Sequence, residues 1–166
     1  MSVLNCKFKG RAAAHGGRTG TVSLGESGHT VLELKMPAAL GGMAAEHDTN
    51  PEELMGAAVA AAFYGSILHM ARDRQLQGWD RGAAVAAEVG ILFPDDRSYY
   101  RLEVAIHVNL PAIDPGLARE LLREAQAGNG YWELLERSGV RLVLMLDGEL
   151  FPSETRNDLL TEGRSL

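Results

Sequence analysis

The sequence predicts an α+β fold with antiparallel sheets, in the element order βββ-α-ββ-α-α-β. Three observations carry that expectation: short glycine-punctuated runs over the first 36 residues, one long Ala-rich helix with a clear start, and two alternating runs separated by Pro94-Asp95-Asp96.

In chain order, Cys6 to Gly10 and Gly20 to Leu24 read as strands flanking the loop His15-Gly16-Gly17-Arg18-Thr19-Gly20, and Thr30 to Met36 reads as a third strand after the turn Gly25-Glu26-Ser27-Gly28. Asn50 is suited to cap a helix, Pro51 to its first position, and Glu52 and Glu53 to the positive end of its dipole. From Leu54 to Met70 the residues are apolar or small on nearly every face, which predicts a helix buried all round. A chain this short has little with which to cover such a helix, so a second subunit is the expected cover. Val85 to Phe93 and Arg101 to Leu110 alternate as a long hairpin, with Leu102, Val104, Ile106, Val108 and Leu110 inward and Arg101, Glu103, His107 and Asn109 outward. Asp114-Pro115 starts a second helix with Leu117, Leu121, Leu122 and Ala125 at helical spacing; Gly128-Asn129-Gly130 breaks it. A short helix, Tyr131 to Arg137, and a last strand, Val140 to Leu146, complete one domain over residues 1–150, and residues 151–166 form a polar tail.

The chain has 166 residues, 46% hydrophobic and 23% charged, enough for one well-cored domain. A net charge of −6 without basic clusters argues against nucleic acid as a partner. No uninterrupted apolar run reaches the roughly 18 residues of a membrane span, although Leu54 to Met70 comes close. Met1-Ser2-Val3-Leu4-Asn5 lacks the basic and apolar regions of a secretory signal, so a cytoplasmic location is expected. With Cys6 as the single cysteine, no intramolecular disulfide can form.

Several stretches together resemble the OsmC/Ohr family, in particular its organic-hydroperoxide-resistance branch: Gly16-Gly17-Arg18-Thr19-Gly20, Ala39-Leu40-Gly41-Gly42, and Thr49-Asn50-Pro51-Glu52-Glu53-Leu54 leading into the Ala-rich helix. The resemblance spans roughly residues 3 to 147. It implies an intertwined homodimer in which two small antiparallel β-sheets wrap two central helices, with active sites where subunits meet. It also implies thiol chemistry, in which a low-pKa cysteine on the buried helix attacks a peroxide and a second cysteine resolves the sulfenic acid. The family's arginine, paired with the glutamate of the helix start, falls on Arg18 and its glutamate on Glu52. The attacking cysteine falls on Ala62 and the resolving one at or beside Asn129, so both sulfurs are gone.

The candidate binding residues are therefore Arg18, Glu52, Ala62, Phe63, Asn129, Tyr131 and Trp132, the aromatics serving either as core or as a ligand wall. Three functions are open. The first is a non-peroxidatic dimer binding a small apolar, lipid-like or hydroperoxide-like molecule, with Arg18 holding an anionic end. The second is a different reaction with Glu52 as base and Arg18 as electrostatic stabiliser. The third is residual hydroperoxide reduction through Cys6 and an external thiol. Two weaker constellations are a Ser66/His69 nucleophile pair and His47-Asp48 with Glu52 as metal ligands; plain structural roles are preferred for both, and no metal or cofactor is expected.

Overall fold

The computed structural model describes residues 5–45, 47–94 and 99–152. Its backbone contacts fall into two compact units, one ending at Leu54 and the other beginning at Met55.

The first unit is a three-stranded antiparallel sheet in the order β1-β2-β3, with β1 at Ala12–His15, β2 at Thr21–Leu24 and β3 at Thr30–Glu33. The loop between β1 and β2 closes because Gly20 has no side chain: a Cβ there would lie 1.8 Å from the His15 carbonyl oxygen. Gly16 and Gly17, at φ 76° and 61°, supply the left-handed turn that precedes Arg18. Past the end of β3, Leu34 forms an isolated parallel bridge with Thr49, and the Lys35 N–H donates to the Thr49 carbonyl at 2.9 Å. The Leu34 N–H donates in turn to the Gly20 carbonyl at 2.8 Å. A ladder of backbone bonds thus joins the Arg18 loop, β3 and the residues that open α1.

Helix α1 (Pro51–Asp73) starts as its sequence predicts. The Glu53 N–H donates to Asn50 Oδ1 at 2.9 Å, and Asn50 Nδ2 donates back to Glu53 Oε1 at 2.9 Å, a reciprocal cap.

The second unit packs α1, α2 (Pro115–Ala127) and α3 (Gly130–Ser138) with a four-stranded sheet. That sheet runs β4-β5-β6-β7, with β4 at Ala84–Leu92, β5 at Arg101–Asn109, β6 at Arg141–Leu146 and β7 at Glu149–Leu150. Gly56, Val59, Phe63, Ile67 and Ala71 are the buried residues of α1, recurring every three or four positions along one stripe. Of these, Val59, Phe63, Ile67 and Ala71 join Val104, Ile106 and Val108 of β5 and Leu121 and Leu122 of α2 in one core. By length and composition α1 could cross a bilayer, with a mean hydropathy of 1.5, yet this stripe is committed to the protein core.

Four expectations are corrected. Cys6 to Gly10 forms no strand; the first strand is Ala12–His15. β3 stops at Glu33 rather than Met36, because beyond it only the Leu34 bridge to Thr49 continues the pairing. The second sheet is mixed: β6 pairs parallel to β5, since α2 and α3 form the crossover between them. Helix α1 is not buried all round in the single chain, where Ala57, Ala58, Ala61 and Gly65 are exposed. Asp95, Asp96 and the tail beyond Pro152 lie outside the described residues.

Candidate functional site

Arg18 and Glu52 belong to the first unit, and the structure brings them together. Arg18 Nη1 donates to Glu52 Oε2 at 2.7 Å and Nη2 donates to Oε1 at 2.6 Å, so the planar fork of the guanidinium meets both carboxylate oxygens. The Glu52 side chain retains 14% of its exposure and that of Arg18 34%. The Arg18 hydrogen bonds hold the Glu52 carboxyl below the ordinary range of a glutamate, against a smaller opposing push from burial. A carboxylate gripped in this way is a weak proton acceptor. Beside the Arg18 loop a groove of about 410 Å³ is lined by Thr19, Gly20, Thr21, Glu33, Leu34, Lys35, Met36 and Met43.

The remaining predicted residues lie in the second unit. Asn129, only 4% exposed, separates α2 from α3 and caps α3, its Oδ1 accepting from the Trp132 N–H at 2.8 Å. Its Nδ2 donates to the Ala62 carbonyl at 3.1 Å and to Ser66 Oγ at 2.9 Å. Ala62 and Asn129, the positions on which the resemblance places the family's cysteines, are therefore joined by an amide hydrogen bond. Phe63 and Trp132, 1% and 4% exposed, pack on each other with ring centroids 6.1 Å apart, inside the core. Tyr131 stays 47% exposed and makes no part of that stack.

Ser66 and His69 do not form a nucleophile pair. The Ser66 hydroxyl donates back to the Ala62 carbonyl at 3.4 Å, while exposed His69 lies 3.6 Å from Asp73, one turn further along α1. Asp48 is likewise engaged, at 3.1 Å from Lys35 and accepting from the Ala45 N–H at 2.7 Å. That backbone hydrogen bond and the lysine keep its carboxyl below the usual value. Among the described residues no three His, Cys, Asp or Glu side chains gather to hold a metal. Cys6 is exposed, its thiol donating to the Phe8 carbonyl at 3.2 Å.

No protein-family model matches the chain. Among curated proteins, it is 32% identical over 128 residues to an uncharacterised protein of Acinetobacter baylyi, covering 75% of this chain and 83% of that one. It is 26% identical over 118 residues to the organic hydroperoxide resistance protein OhrB of Bacillus subtilis, covering 71% and 82%. Among solved structures, the OsmC organic hydroperoxide resistance protein of Legionella pneumophila superposes with a TM-score of 0.73 at 29% identity, over 86% of this chain and 98% of that one. The chain belongs to the OsmC/Ohr family. A Vibrio cholerae protein described as an organic hydroperoxide resistance protein, solved with captopril in one of its active sites, matches at TM-score 0.76 and 30% identity over 90% of this chain and 98% of its own. The α+β architecture with two open sheets is that of OsmC/Ohr proteins, and this chain carries a single cysteine, Cys6.

The amide link between Asn129 and α1 is the feature that sequence reading missed. Asn129 was legible as the residue at a cysteine position, but an Asn standing before a helix with Glu133 in its first turn is also a cap signature, and that signature fixes where its Oδ1 points.

Proposed function

We propose that this OsmC/Ohr protein is a non-peroxidatic homodimer of the cytoplasm that binds a small, largely apolar molecule with an anionic end. The observation that supports the reading is a clamp kept without its redox centre: Arg18 and Glu52 are paired through both oxygens, while the cysteine positions hold Ala62 and Asn129. The partly methionine-lined groove beside the Arg18 loop offers an apolar wall, and methionine side chains adapt to irregular ligands. A Vibrio cholerae relative holding captopril in an active site is in keeping with an organic ligand. The exposed small-residue face of α1 suits close approach of a second copy, which light scattering would detect.

Catalysis by Glu52 as base is disfavoured by the grip of Arg18, which lowers its basicity. Hydroperoxide reduction through Cys6 would need a thiol that the exposed N-terminal segment gives no base to activate.

The test has two arms. Titration with octanoate, followed by calorimetry, is expected to show binding that Arg18→Ala weakens at least tenfold. In parallel, tert-butyl hydroperoxide with dithiothreitol is expected to turn over no faster than in buffer. Peroxide turnover that disappears in Cys6→Ser would overturn the proposal.

A further inference from the structure

Among the described residues Asn129 alone of the polar and charged side chains is buried, and all of its hydrogen-bonding groups that face the protein are used. Oδ1 accepts from the Trp132 N–H, and the two Nδ2 hydrogens serve the Ala62 carbonyl and Ser66 Oγ. The assignment of oxygen and nitrogen is forced, because only the oxygen can accept from a backbone N–H and only the nitrogen can donate to a carbonyl. One side chain therefore fastens the start of α3 to the middle of α1. The bonded groups belong to Ala62, the chain neighbour of Phe63, and to Trp132 itself, so the tie adjoins the Phe63–Trp132 ring contact along both chain segments.

We infer that Asn129 is a positioning residue, a permanent amide tie between α1 and α3 that holds Trp132 against Phe63 in one arrangement under oxidising and reducing conditions alike. A thiol pair at positions 62 and 129 would exist in two covalent states, linked and open. An amide donating to a carbonyl has one, and hydroperoxides do not alter it. The tie follows from the second unit's own contacts and holds whether or not the Arg18 groove takes a ligand.

Asn129→Asp separates the two functions of this side chain. It keeps the oxygen that caps α3 but replaces the donor to Ala62 and Ser66 with a carboxylate oxygen. In a buried position such a carboxyl titrates above its ordinary value, and once protonated it can donate to the Ala62 carbonyl again. In a Trp79→Phe background, so that Trp132 alone reports, Asn129→Asp is expected to shift the fluorescence at neutral pH and to regain the parent spectrum on acidification toward pH 4. Asn129→Asp loses both Nδ2 donations at neutral pH while the cap oxygen stays on the Trp132 N–H, so the loosened start of α3 should let the Trp132 amide exchange faster, by about five- to tenfold for each donation lost. Ser66→Ala, which removes one of the two acceptors and leaves the other, should move both readouts in the same direction by less. It also serves if Asn129→Asp fails to fold at neutral pH. In the Trp79→Phe chain with Asn129 intact, tert-butyl hydroperoxide is expected to leave the Trp132 signal unchanged.

Two results would overturn the inference. One is a Trp132 spectrum and amide exchange that neither Asn129→Asp nor Ser66→Ala changes. The other is a hydroperoxide-induced shift of the Trp132 signal in a chain lacking Cys6.

Discussion

Arg18 and Glu52, 34 positions apart in sequence, meet through two hydrogen bonds of 2.7 and 2.6 Å that fasten the first loop to the helix start. Neither residue could reach this geometry by itself. Gly20 closes the loop that presents Arg18, and the Leu34–Thr49 bridge brings the start of α1 to the edge of the same sheet.

Glu52→Gln removes the charge and leaves a neutral partner for Arg18. A charge-assisted pair that remains partly wet contributes about 1–2 kcal/mol. Because the folded-state pKa of Glu52 lies below its unfolded value, that stability is complete above the ordinary glutamate range and is lost as pH falls through the lowered value. Urea melts should therefore show the parent more stable than Glu52→Gln at pH 7, with the gap closing in acid. A gap independent of pH would mean that the carboxylate charge is not what stabilises the contact.

Restoring sulfur at both family positions should restore a redox couple. With Asn129 Nδ2 only 3.1 Å from the Ala62 carbonyl, the double variant Ala62→Cys/Asn129→Cys, made in a Cys6→Ser background so that no third thiol reacts, places one thiol in the middle of α1 and the other at the start of α3. One equivalent of tert-butyl hydroperoxide should convert one thiol to sulfenic acid with release of the alcohol; the second thiol then displaces water and closes a disulfide. Intact-mass analysis would register the loss of two hydrogens. Thiols that still titrate after oxidation would show that the two positions are too far apart or misdirected.

Asp114 caps α2, accepting from the N–H groups of Gly116 at 2.8 Å and Leu117 at 3.2 Å. Asp114→Ala leaves both donors to water and should cost about 1 kcal/mol, read as a lower denaturation midpoint with an unchanged denaturant slope.

Gly56 pits propensity against space. Alanine in a helix is favoured over glycine by about 1 kcal/mol, yet a Cβ at Gly56 would lie 2.8 Å from the Ala87 carbonyl oxygen of β4. A backbone atom cannot swing aside as a side-chain tip can, so steric strain wins and Gly56→Ala should destabilise by about 1–3 kcal/mol in thermal melts. At Gly65 an added Cβ meets nothing within 4 Å, and the same substitution should be neutral or stabilising in the single chain.

These contrasts show where sequence reading succeeds. Regular alternation located β4 and β5 to within a residue, because Val104, Ile106 and Val108 must share one face to reach the core. Asn50-Pro51 and Asp114-Pro115 marked the helix starts because capping is local chemistry. The pairing partner of β6 was not legible. Its direction follows from how α2 and α3 cross back over the sheet, which is a property of packing rather than pattern. β7 carried a signal that went unread: Asp147-Gly148, with φ 50° and 84°, is the two-residue turn that folds Glu149–Leu150 back on β6. At the site, composition showed a single cysteine, and only the structure revealed that the Asn129 amide is bonded to the Ala62 carbonyl.

Between Glu53 and His69 the exposed residues of α1 are Ala57, Ala58, Ala61 and Gly65. Residues without rotatable side chains have no rotamer freedom to surrender when covered. Whatever is laid along that face meets a smooth backbone ridge and incurs no side-chain ordering cost from this protein. Tight association there can thus rest on a modest contact area, and a single bulky substitution, such as Ala61→Trp, is enough to prop the surfaces apart.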